Sequence, residues 1–121
     1  MTRFKSQGFN NTFNNARKGF RLVLKSEMNI RVHIVIACIV LLSAYLLNFS
    51  GLEICIALFA ISLVIVSEML NTAIEFTLDA VFHNKYSRMV GMAKDISAGA
   101  VMFASIVALI IGIILFGKHL F

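Results

Sequence analysis

Three long apolar stretches, residues 30–49, 52–82 and 93–116, take up most of this 121-residue chain. A helix needs roughly 20 apolar residues to cross a bilayer, and each stretch meets that length. The middle one, rising about 1.5 Å per residue, exceeds the hydrocarbon thickness and is expected to emerge at its C-terminal end. Composition points the same way. Hydrophobic residues make up 60% of the chain and charged ones 14%, against about 45–50% and about 25% in soluble domains. That balance excludes a soluble globular domain and a disordered chain, and the length is one domain's worth. The expected fold is all-α and integral to the membrane. It is a single membrane domain over residues 1–121, with an N-terminal amphipathic surface helix ahead of three transmembrane helices.

The surface helix is read over residues 9–26. Phe9, Phe13, Ala16, Phe20, Val23 and Leu24 recur at helical spacing, with Arg17, Lys18, Arg21 and Lys25 mostly between them. A basic helix with aromatic anchors suits the membrane interface, and is equally able to pack on the rest of the protein. Between the first two spans, Asn48-Phe49-Ser50-Gly51 makes a tight turn. Ser50-x-x-Glu53 fits a capping box, which gives Glu53 a structural task. A polar loop over residues 83–91 precedes the third span. Small residues there (Ser97, Gly99, Ala100, Ala104, Ser105, Ala108) allow close helix packing.

The basic residues set the orientation. Arg3, Lys5, Arg17, Lys18, Arg21, Lys25 and Arg31 lie up to the start of the first span. Lys85, Arg88 and Lys94 lie at the second connection, and Lys118 is alone in the C-terminal tail. The positive-inside rule places the N-terminus and the second connection in the cytoplasm and the C-terminus outside. Residues 1–25 lack the apolar core of a signal peptide. Cys38 and Cys55 sit in apolar runs without metal or redox spacing and read as buried free thiols. Gly112-x-x-x-x-Gly117-Lys118-His119 nearly matches a phosphate-binding loop. However, a histidine replaces the magnesium-binding hydroxyl, and the segment ends a helix instead of following a strand. His33 reads as an interfacial or packing residue and His119 as a tail residue.

The six acidic residues are not scattered. Glu68, Asn71, Glu75 and Asp79 fall within an arc of roughly 80° on one helix face. Glu27 lies where the surface helix hands over to the first span, and Asp95 where the third span begins. Five acids thus converge on the cytoplasmic leaflet from three segments. An ionisable group in a spanning helix marks function by default, although a single one acts equally well as interhelical glue. Clustered carboxylates repel one another unless a cation sits among them. Oxygen ligands without sulfur favour a hard metal such as Mg²⁺, which takes one or two carboxylates and substrate phosphates. Lys94 and the basic loop supply charge for those phosphates. Glu68 is the deepest carboxylate, about 10 Å of helix below Glu75. Three thin spans do not enclose such a site alone, so an oligomer is expected.

At these residues the chain resembles a known family. Glu68-Met-Leu-Asn71-Thr-Ala-Ile-Glu75 is similar to the E-x-x-N-[ST]-A-x-E signature of the prokaryotic diacylglycerol kinases. Ala93-Lys94-Asp95, followed by Ser97-Ala-Gly-Ala-Val, resembles the second signature. Lys18-Gly19 and Glu27 fall at the family's N-terminal spacings, so the likeness runs from about residue 9 to 116. Within the family, Glu27-Met-Asn29-Ile-Arg-Val-His33 and Lys94-Asp95-Ile-Ser-Ala98-Gly99-Ala100-Val101 look closer to the undecaprenol kinase branch.

The resemblance implies an enzyme that moves the γ-phosphate of ATP to the hydroxyl of a membrane lipid, undecaprenol or diacylglycerol. It implies Glu68 as catalytic base and Glu27 and Glu75 as carboxylates holding Mg²⁺ on the nucleotide. Lys94 and Asp95 match further ATP contacts; Asn71 and, next along the stripe, Asp79 are supporting residues. It further implies a homotrimer in the bacterial inner membrane, with ATP, a lipid alcohol and the bilayer as partners and no nucleic acid. Three positions depart from the family pattern. Gly8 stands where an arginine is expected, a role vacant or taken by Arg3; Asn15 replaces a tyrosine, and Ala98 a serine.

Two other readings compete. A small oligomeric proton- or cation-coupled transporter explains Glu68 and Glu75, but leaves Lys94-Asp95 and the one-leaflet bias of the acids unexplained. A structural subunit with the acids as helix glue explains still less.

Overall fold

No proline interrupts the chain, so its helices end only where turns and caps end them. The structure, a computed structural model, describes residues 8–121; Arg3 and Lys5 of the basic N-terminal segment lie outside the described residues. Four helices follow one another: α1 (Phe9–Ser26), α2 (Met28–Leu46), α3 (Gly51–Val81) and α4 (Arg88–Leu120). The last three are long and apolar enough to cross a membrane, and the chain is a membrane protein.

α1 and α2 are separated by a single extended residue, Glu27 (φ −120°, ψ 111°). Arg31 of α2 reaches back over this break. Its Nη1 donates to the Leu24 and Lys25 carbonyls at 3.0 and 3.2 Å, satisfying groups that the last turn of α1 leaves free. The turn between α2 and α3 places Asn48 in the left-handed region (φ 61°), which asparagine tolerates better than most residues. The capping box forms as the sequence indicates. Ser50 Oγ accepts from the Glu53 amide at 3.2 Å, and the Glu53 carboxylate accepts from the Ser50 amide at 2.9 Å. The first span ends at Leu46 instead of residue 49. Phe49 folds inward as a plug, with its ring centroid 4.9 Å from that of Phe116 and 4.4 Å from that of His119.

α4 is longer than the apolar run over residues 93–116 at both ends. The apolar run marks membrane depth; caps mark helix ends. Ser87 Oγ accepts from the Val90 amide at 3.2 Å and starts the helix. Tyr86 lies against Gly91, where a Cβ would stand 2.7 Å from the tyrosine hydroxyl. At the other end Gly117 continues the helix, so Lys118 and His119 occupy its last turn. His119 is therefore no tail residue.

The seam between helices is built from small side chains. Ala37 and Ala44 on α2, Ala57 and Ala60 on α3, and Ser97 and Ala104 on α4 are buried. Their three- and seven-residue spacings keep each set on one face, and their size lets backbones approach. Of the other small residues on α4, Ala98 and Ala100 face outward. Both cysteines are free but exposed, contrary to the expected burial. Cys38 follows seam residue Ala37, and Cys55 lies between seam residues Glu53 and Ala57, so each is turned off the seam by about 100° or more. Phe59 and Phe103 are also exposed on the outer surface, as lipid contact requires.

Candidate functional site

α3 and α4 run antiparallel and are tied by side chains at three levels. At the turn end, His119 Nε2 lies 3.0 Å from both carboxylate oxygens of Glu53, and Lys118 Nζ lies 3.3 Å from its Oε2. Midway, the Ser97 hydroxyl donates to Asn71 Oδ1. At the loop end, Lys94 Nζ donates to Asp79 Oδ1 at 2.8 Å. The last two ties hold the polar stripe in place.

Within the stripe, Asn71 Nδ2 donates to Glu75 Oε1 at 3.0 Å. The Ser97 hydroxyl fixes which way the Asn71 amide points, because it occupies the carbonyl side and leaves the NH₂ toward Glu75. Glu75 thus keeps its second oxygen for another ligand. Thr72, one residue beyond Asn71, is buried in the seam.

Glu68 is the most enclosed carboxylate of the stripe, 8% exposed. Its Oε1 lies 2.9 Å from His33 Nε2 on α2. His33 therefore does more than pack, and its contact with Glu68 corrects the sequence reading. An apolar groove of about 510 Å³ between α2, α3 and α4 has His33 among its lining residues, with Ala37, Val40, Ala60, Val64 and Ala108.

The structure joins Asn71 to Glu75 and Ser97, Asp79 to Lys94, and Glu68 to His33. It does not join Glu27 or Asp95 to them. Glu27 is half-buried at the α1–α2 break and Asp95 is exposed on α4; among the described residues neither carboxylate has a hydrogen-bond or ion-pair partner. No three His, Cys, Asp or Glu side chains gather into one group among the described residues. Two contributors went unassigned in the sequence. Ser97 stood among small packing residues and within the second signature without a role of its own, and the signal for His33 was its place in the Glu27-x-Asn29-x-x-x-His33 pattern.

Comparison with known proteins places these residues in context. The family described as prokaryotic diacylglycerol kinase matches residues 14–116. The undecaprenol kinase of Bacillus subtilis (strain 168) is 34% identical over 108 residues, covering 89% of this chain and 87% of the relative. A diacylglycerol kinase of Synechocystis is 32% identical over 101 residues and 84% of this chain; the match spans only 58% of that relative's length. The diacylglycerol kinase of Escherichia coli (strain K12) is 31% identical over 102 residues, 84% of this chain and 83% of the relative.

Proposed function

The chain belongs to the prokaryotic diacylglycerol kinase family, a family of lipid kinases, and from that premise we propose that it transfers the γ-phosphate of Mg-ATP to the hydroxyl of a membrane lipid. The observation that carries this reading is the graded stripe on α3. Glu68 is buried against His33, and Glu75 lies about 10 Å further along the helix, near Lys94 and the loop. One end suits a lipid head group and the other a water-soluble nucleotide.

In this reading Glu68 is the base. The lipid hydroxyl oxygen forms a bond to the γ-phosphorus as its proton passes to the Glu68 carboxylate. The bond from phosphorus to the bridging oxygen breaks, and ADP leaves with that electron pair. Phosphoryl transfer asks mainly for positioning and charge neutralisation, and a placed base contributes about 10²–10⁴-fold. Lys94 and Asp95 contact the nucleotide, and Asn71 and Asp79 orient their neighbours.

The donor set fits magnesium. Glu27 and Glu75 offer oxygen only, Asn71 leaves one Glu75 oxygen free, and no preformed three-ligand cage exists among the described residues. That suits an ion that arrives with phosphates and takes one or two carboxylates. Bound there, magnesium would neutralise phosphate charge.

The unpartnered carboxylates of Glu27 and Asp95 support a homotrimer in which neighbouring subunits complete each site. The basic residues support a bacterial inner-membrane protein with α1 on the cytoplasmic surface and the site facing the cytoplasm. Undecaprenol is favoured over diacylglycerol by the likeness of the Glu27-to-His33 pattern to the undecaprenol kinase branch, and by the place of its last residue, His33, 2.9 Å from Glu68. The test presents both lipids side by side to the reconstituted protein with γ-labelled Mg-ATP. Labelled undecaprenyl phosphate in excess over labelled phosphatidic acid is the expected outcome. Labelling of neither lipid sinks the kinase reading and revives proton- or cation-coupled transport.

A further inference from the structure

We infer that His33 is a positioning residue for the proposed base: it holds Oε1 of Glu68 so that Oε2 meets the lipid hydroxyl. The inference rests on the assignment of Glu68 as base. His33 Nε2 lies 2.9 Å from Glu68 Oε1, and in this proposal Nε2–H is the donor, since a carboxylate that is to take up a proton only accepts. No other partner for the Glu68 carboxylate is found among the described residues. Every fully buried side-chain oxygen among them has a partner. Oε2, which has none, is therefore not fully buried.

The imidazole is well placed to act as a fixed donor. Ile30 and Ala37, which share its face of α2 at three- and four-residue spacing, are both buried. Ile30 is 0% exposed, so the α2 backbone below the ring is clamped. Glutamate has three rotatable side-chain bonds and turns freely when nothing holds it. A base that wanders by about 1 Å loses about 10²-fold in rate. One hydrogen bond to Oε1 removes that freedom without occupying the oxygen that does the chemistry.

Two substitutions separate positioning from packing. His33→Leu fills the apolar groove with a side chain like its neighbours but offers no donor. His33→Gln carries an Nε2 donor at similar reach. With γ-labelled Mg-ATP and whichever of undecaprenol or diacylglycerol the unaltered protein labels, His33→Leu is expected to lower kcat about 100-fold with KM for ATP unchanged. His33→Gln is expected to recover most of the lost kcat. A merely structural role would instead lower thermal stability and leave kcat alone. If His33→Leu loses ATP binding, His33→Ala takes its place in the same comparison.

The inference is overturned if the donor-less variant keeps kcat within about threefold, or if His33→Gln is no better than His33→Leu. Glu68→Gln is run beside them. Should Glu68→Gln transfer phosphate fully, the base assignment itself fails. Should it be inactive while His33→Leu stays active, only the inference about His33 fails.

Discussion

Lys94 reaches from α4 to Asp79 on α3 with 2.8 Å between Nζ and Oδ1, and both side chains are about two-fifths exposed. This link is partly wet and lies beside the polar stripe, so a phosphate can compete for the ammonium. Asp79 then acts as a rest that keeps Lys94 aimed across the α3–α4 gap.

Removing the charge and removing the rest should therefore differ. Lys94→Met is expected to raise KM for ATP at least about tenfold, as the loss of a charged phosphate contact does. Asp79→Asn is expected to change it about fivefold at most, since exposed ion pairs contribute little. Steady-state kinetics with varied ATP distinguishes them; equal effects would mean that Lys94 serves Asp79 and not the nucleotide.

Ser97, Asn71 and Glu75 form a chain of hydrogen bonds from α4 into the stripe. Glu75→Gln removes a proposed magnesium ligand, while Ser97→Ala only lets the Asn71 amide turn. Loss of an outer partner typically costs about 10–100-fold in metal affinity. Ser97→Ala is expected near the low end of that range and Glu75→Gln at or above its high end, read as the magnesium concentration giving half-maximal transfer. An unchanged magnesium requirement in Glu75→Gln removes it from the ligand set.

At the opposite end of α3, Glu53 accepts from the Ser50 amide and is flanked by His119 and Lys118. This cluster lies far from the stripe and ties the turn to the last turn of α4. Ser50→Ala is expected to destabilise the protein by about 1 kcal/mol through loss of the cap. His119→Ala should cost more, because Phe49 loses its stacking partner and Glu53 a direct one. Both variants should lower the thermal unfolding midpoint and leave kcat near that of the unaltered protein. A loss of kcat without a loss of stability would place function at this end.

How much of this was legible in the sequence depends on the distance each interaction spans. The Ser50–Glu53 box is local, three residues apart, and its side-chain types name the motif. The stripe from Glu68 to Asp79 is equally local, because one helical period orders it. The ends of α4 were not legible, since Arg88 to Met92 and Gly117 to Leu120 lie outside the apolar run and only the Ser87 cap and the Phe49 plug show that the helix continues. The His33–Glu68 contact was legible in depth alone. Counted back from Leu46 and forward from Gly51, the two residues lie about 20 and about 26 Å from the turn, roughly one helical turn apart. Which faces meet depends on how α2 and α3 cross, which composition does not encode. Ser97 was hidden for the same reason, as a small residue that packs and donates at once.

The most direct measurement compares nucleotide binding and phosphate transfer in Glu68→Gln. Glutamine keeps the size of the side chain beside His33, but it does not accept a proton from a lipid hydroxyl. The expected result is ATP affinity close to that of the unaltered protein, with lipid labelling reduced by about 10²–10⁴-fold. Transfer at the unaltered rate by Glu68→Gln would contradict the central claim that this carboxylate, seated on α3 against His33, is the base of a lipid kinase.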